Sequence, residues 1–99
     1  MKRLDCFATI AVLCTAVVPA SAVDVAPPGA AACSGCHPIS RRVETPFTRL
    51  VGRNAADIVT AMQEFRTGQR PGTIMDRIAK GFTDDEVKAI AAWYAAQKD

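Results

Sequence analysis

The chain has 99 residues, 49% of them hydrophobic and 22% charged, with a formal net charge of +2. That length suits one small domain, and a charge this close to balance excludes the dense basic face that nucleic acid or an anionic membrane surface selects. Four cysteines and a single histidine are the residues that most need explaining.

The first predicted element is not part of the fold. Met1-Lys2-Arg3 supplies a positive start, Cys6 to Val18 an apolar run, and Pro19-Ala20-Ser21-Ala22 the small residues a signal peptidase reads, the pattern of a secretory signal peptide. The apolar run is too short for a finished span, and no later stretch reaches the roughly 20 apolar residues that one needs, so no stable membrane insertion is expected. Leu13 stands before Cys14 where a lipoprotein site needs a small residue. Residues 1–22 are therefore read as a cleaved signal and residues 23–99 as the mature, exported, periplasmic domain. Losing Lys2, Arg3 and Asp5 leaves ten basic against nine acidic residues, a formal charge of +1. Cys6 and Cys14 leave as well. A chain this short buries a thin core and often needs a staple, and that staple must involve Cys33 and Cys36.

Val23 to Pro28 reads as an extended lead-in, because consecutive prolines lack amide donors and disfavour helix before them. Gly29-Ala30-Ala31-Ala32 leads into Cys33 as a short helix, with Pro28 suited to its first turn and Pro38 stopping it just past His37. Residues 38–53, with Pro38, Pro46 and Gly52, show neither helical nor strand periodicity and read as a loop. Asn54 caps a helix whose Ile58, Met62 and Phe65 recur at helical spacing with Val59 beside them, and Gly68 stops it. Arg70-Pro71-Gly72 breaks the chain, and Ile74 to Lys80 forms one or two turns closed by Gly81. Thr83-Asp84-Asp85-Glu86 is a capping box with acids at the positive end of the helix dipole, and Val87, Ile90, Ala91 and Tyr94 form the inward stripe behind it. No segment alternates as a half-buried strand would. The fold class is all-α.

The stretch Cys33-Ser34-Gly35-Cys36-His37 admits three chemistries. A C-x-x-C alone can exchange thiol for disulfide where a helix start lowers the first thiol's pKa, but no flanking strand or βαβ pattern accompanies it. Zinc wants four ligands and no second Cys/His pair exists. Covalent haem attachment uses both remaining cysteines as thioethers and delivers the histidine to the iron, and the haem supplies the apolar mass that the small core lacks. On the other side of the iron, methionine is the natural candidate, since a thioether favours the reduced ion. Met62 lies on the apolar stripe of its helix, which suits packing. Met75 follows the break at Arg70-Pro71-Gly72 on a segment free to approach. Position alone leaves both in play.

The order CSGCH, proline-bearing loop, middle helix, methionine segment and capped last helix resembles a small class I cytochrome c over essentially all of the mature chain. The resemblance implies three main helices plus short turns wrapped around one covalent haem c, with Cys33 and Cys36 as thioethers, His37 as proximal ligand and Met75 as distal ligand. It also implies a first-to-last helix crossing of Gly29 on Trp93, whereas the periodicity turns Tyr94 inward. It calls for a proline carbonyl to orient His37, for which Pro46 is the best match, while Pro38 stands where glycine is common. Residues 64–97 are similar to the monohaem cytochrome subunit of flavocytochrome c sulfide dehydrogenase. That likeness implies an electron carrier rather than an enzyme, taking electrons from an FAD-containing sulfide dehydrogenase subunit; a single C-x-x-C-H argues against a two-haem carrier. The alternatives are a generic soluble carrier for another periplasmic dehydrogenase, a haem protein with an open distal site that binds small ligands, and an exported dithiol protein without haem. Arg41, Arg42, Arg49 and Arg53, in the loop after the motif, are candidates for docking the donor or for contacts with haem propionates, against the plainer role of surface solubility.

Overall fold

The computed structural model of the protein describes residues 16–17 and 25–98, so the expected signal peptide lies almost wholly outside the described residues. The described chain is helical throughout: α1 is Ala30–Cys33, α2 Ala55–Thr67, α3 Met75–Ala79 and α4 Asp84–Ala96. No strand occurs among the described residues, as the periodicity required. None of the described helices is long and apolar enough to cross a membrane.

Local chemistry sets the ends of the two long helices. The Asn54 side chain accepts from the amides of Ala56 and Asp57 at 2.8 and 3.4 Å, satisfying donors that an α-helix start leaves unpaired. Gly68 ends α2 at φ 81, a left-handed conformation that side chains resist. At α4 the predicted capping box closes in both directions, Glu86 N donating to Thr83 Oγ1 at 3.2 Å and Thr83 N to Glu86 Oε1 at 3.4 Å. Arg66, one residue from the end of α2, donates to Asp84 Oδ1 at 2.5 Å and to Phe82 O at 2.8 Å, clipping α2 to the start of α4. The same guanidinium, by hydrogen bond and by charge, holds the Asp84 carboxyl below its ordinary pKa.

α2 packs against both α3 and α4. Val87, Ile90, Ala91 and Tyr94 of α4 are all buried, the four positions that helical spacing selects. On α2 the expected stripe divides: Ile58 is buried, while Met62 and Phe65 are half-buried. Phe65 spends its ring on the chain break instead. A Cβ on Gly72 would stand 3.0 Å from it, and the Arg70 guanidinium lies 5.6 Å above its centre in cation–π contact.

Two expectations about α1 are corrected. The helix is a single turn starting at Ala30, so Pro28 precedes it rather than entering its first turn. The side chains nearest Gly29 are Phe82 and Ile90 rather than the expected Trp93: a Cβ there would come within 2.6 Å of the Phe82 ring and 3.3 Å of Ile90 Cδ1. Tyr94, fully buried, is the aromatic that α4 sends to α1, its hydroxyl donating to Ala30 O at 2.7 Å. Trp93 is half-buried at the stripe's edge, edge-on to Tyr94 with ring centres 4.9 Å apart, and its enclosed Nε1 has no hydrogen-bond partner among the described residues.

Burial pushes the Tyr94 phenol up to about 12 from an ordinary value of 10.0. A raised folded-state pKa contributes stability that is whole below the unfolded value and is lost as pH rises toward the folded one. Stability should therefore fall between about pH 10 and pH 12. Tyr94→Phe should flatten that alkaline limb and, by deleting the hydroxyl bound to Ala30, cost about 1 kcal/mol near neutrality. Urea melts of both proteins from pH 7 to 11.5 check this; a limb equally steep in the variant would rule Tyr94 out as its source.

Candidate functional site

α1 exists to present the cysteines. Its single turn runs into the motif through Cys36 N to Cys33 O at 3.2 Å and His37 N to Cys33 O at 2.8 Å, so the peptide groups of Cys33 to His37 coil tightly rather than extend. Both thiols are free. Cys33 is half-buried, its Sγ 3.4 Å from Gly29 O, and burial pushes that thiol's pKa up. Cys36, three residues on, is exposed. The dithiol reading needs the first thiol made acidic, and burial drives Cys33 the other way. Among the described residues no group of three or more His, Cys, Asp and Glu side chains could hold a metal ion.

The histidine carries the clearest signal. His37 Nδ1 donates to the Thr48 backbone carbonyl, which places the proton on Nδ1 and leaves Nε2 as a lone-pair donor, the tautomer a metal-bound imidazole adopts. Pro46, the expected orienting residue, is corrected to Thr48; the loop brings the carbonyl two positions later. Phe47 lies beside the imidazole with ring centres 6.1 Å apart and is 49% exposed. Thr45 Oγ1 donates to Cys36 O at 3.1 Å.

Comparison with known proteins decides the family. Over 70 residues the chain is 30% identical to cytochrome c-554(548) of Halomonas halodenitrificans, a match covering 67% of this chain and 84% of that one. The chain is a c-type cytochrome. It is also 34% identical over 62 residues to the cytochrome subunit of sulfide dehydrogenase of Chlorobaculum tepidum, covering 63% of this chain and 56% of that one. A third relative, the thiosulfate dehydrogenase electron acceptor of Thiomonas intermedia, is 37% identical over 73 residues, covering 70% of this chain and 34% of that one. The matched part thus spans about half of the sulfide dehydrogenase subunit and a third of the thiosulfate dehydrogenase acceptor. No family model matches the chain, and no solved structure matches it.

A c-type cytochrome carries covalent haem c, and the residues present suit it. Two unpaired thiols stand on one coiled turn, the next residue is a histidine with Nε2 uncommitted, and an exposed aromatic ring flanks it. Met75 is the first residue of α3 and half-buried, behind the exposed Ile74. Met62 is half-buried mid-way along α2.

Of the four loop arginines, Arg41, Arg42 and Arg53 of the cytochrome are exposed, but Arg49 turns inward. Its guanidinium donates to Ser40 O at 3.0 Å, Val43 O at 2.5 Å and Arg41 O at 3.4 Å. The sequence carries no sign of this, because a backbone carbonyl has no residue type and Thr48 and Arg49 look like ordinary surface positions.

Proposed function

We propose that residues 23–99 form a periplasmic, single-haem electron carrier, released from a signal peptide at residues 1–22 and serving an FAD-containing sulfide dehydrogenase subunit. In this reading Cys33 and Cys36 hold the haem as thioethers, His37 is the proximal ligand and Met75 the distal one. The observation that carries it is the hydrogen bond from His37 Nδ1 to Thr48 O, which leaves Nε2 as the ring's one available donor. The relatives named as dehydrogenase subunits and electron acceptors support a redox partner and a role in electron transfer rather than catalysis.

When bound, the haem would supply the electron-accepting centre. The protein's part is to hold it and set its potential. Cys33 and Cys36 fix one edge through two covalent bonds. His37, its Nδ1 bonded to Thr48 O, would offer Nε2 as the ligand atom in a fixed direction. Met75 contributes a soft thioether that favours the reduced ion. Substrate chemistry belongs to the partner.

The test is the visible spectrum of the protein exported from a host that matures c-type cytochromes, taken oxidised, reduced, and reduced with carbon monoxide. A thioether-haem spectrum indifferent to carbon monoxide, with the weak sulfur-to-iron band when oxidised, is the expected result. A carbon monoxide shift would move the protein to the ligand-binding class, and a colourless product with two titratable thiols would sink the reading. A flavoprotein that oxidises sulfide should then reduce the carrier stoichiometrically; reduction only by a thiosulfate-oxidising enzyme would keep the carrier and change its donor.

A further inference from the structure

Residues 38–53 have no helix or strand, yet the loop is tied to itself at two places that bracket the histidine contact. On one side Thr45 Oγ1 donates to Cys36 O at 3.1 Å and accepts from Phe47 N at 3.1 Å. On the other the Arg49 guanidinium donates to the carbonyls of Ser40 and Val43 at 3.0 and 2.5 Å, with Arg41 O at 3.4 Å. Between them Thr48 O accepts from His37 Nδ1.

The Thr48 carbonyl and the Arg49 amide share one planar peptide group, so tethering Arg49 through its side chain restricts how far that plane can turn. A proline in the orienting position would have its φ locked by the ring; Thr48 has no such lock, and its carbonyl direction must be held from outside. Arg49 suits that task. It is half-buried, it spends its donors on neutral carbonyls rather than on a carboxylate, and its rigid planar fork spans several acceptors as a lysine ammonium does not.

We propose that Arg49, assisted by Thr45, is a positioning residue that holds the Thr48 carbonyl on His37 Nδ1 and so sets the donor strength of Nε2. This rests on the reading of His37 as the proximal haem ligand. A firm Nδ1–H···O bond makes the imidazole a stronger donor, which favours the ferric ion; slackening the clasp weakens the donor and raises the reduction potential.

The experiment compares holoprotein carrying Arg49→Lys, Arg49→Met or Thr45→Val with the parent, by potentiometric titration and by proton NMR of the reduced form. In both arginine variants the His37 Nδ1 proton should exchange with solvent about tenfold faster, the population change that losing one charge-assisted hydrogen bond brings, and the potential should rise with the iron still low-spin. Thr45→Val, nearly isosteric, should move both readings the same way by less. Unchanged exchange and potential in the arginine variants, even with a lower melting temperature, would overturn the proposal, as would full retention by lysine with loss only in methionine, which would make charge rather than the fork the cause. Should the arginine variants fail to fold, parental values in Thr45→Val overturn it too. The parent spectrum separately checks the footing: His37 ring protons lacking the upfield shift of an imidazole bound above a porphyrin would remove His37 as a ligand, whatever the variants do.

Discussion

Met75→Ala is expected to convert a reduced protein that ignores carbon monoxide into one that binds it at once. On the proposed ligation, removing the Met75 thioether would open the iron to small ligands, abolish the sulfur-to-iron band and lower the reduction potential, because a soft donor that favours the ferrous ion would be lost. The effect is categorical, since it changes the ligand class of the iron. Met62→Ala is the matched control. Its side chain is half-buried on α2, so truncation should cost about 1–2 kcal/mol, below the usual range for a fully buried methionine, and leave the spectrum intact. The opposite pattern, with Met62→Ala opening the iron to carbon monoxide, would exchange the roles of the two methionines. Spectra with and without carbon monoxide settle this alongside a single urea melt of each variant.

The largest loss of stability from a single added methyl group is expected at Gly29. Its φ of 90 lies where L side chains are rarely found, and the added Cβ would stand 2.6 Å from Phe82 Cε1 and 3.3 Å from Ile90 Cδ1. Backbone strain of about 1–2 kcal/mol and overpacking of about 1–3 kcal/mol act together, so Gly29→Ala should lower stability by about 2–5 kcal/mol. Gly52 separates the two contributions, for it has a φ of 74 and nothing within 4 Å of its built Cβ. Gly52→Ala should therefore cost only the backbone part, about 1–2 kcal/mol. Equal losses at the two positions in urea melts would show that the Phe82 ring gives way and that the close approach carries no weight.

The residues that proved readable in advance are those whose partners lie within one or two helical turns. Asn54 reaches amides two and three residues on, Thr83 and Glu86 are three apart, and the α4 stripe repeats every three or four positions. Spacing alone identifies such pairs. The motif Cys33-Ser34-Gly35-Cys36-His37 is a local signal of the same kind, since its residues are consecutive, and the role proposed for it rests on that spacing. The periodicity also chose correctly between Tyr94 and Trp93, where the expected helix crossing had pointed to Trp93.

Apart from Pro28 at the start of α1, the misreadings concern contacts across the loop or between helices. The side chain nearest Gly29 is Phe82, far along the chain, rather than the expected Trp93. Thr48 replaces Pro46 as the acceptor for His37 across eleven residues. Arg49, which by type and neighbourhood belongs with the exposed arginines, is drawn inward by three carbonyls that coincide only once residues 40–43 have turned.

The sequence by itself determined the helices, their caps, the inward face of α4, and the thiols and imidazole that define a c-type cytochrome, because each depends on interactions between near neighbours or on side-chain chemistry that a residue carries wherever it lies. Tertiary structure alone decided which backbone carbonyl holds His37, which arginine leaves the surface, and what packs on Gly29. Those outcomes depend on the path of an irregular loop and on the angle between helices, and many distant contacts settle these jointly where no local periodicity records them.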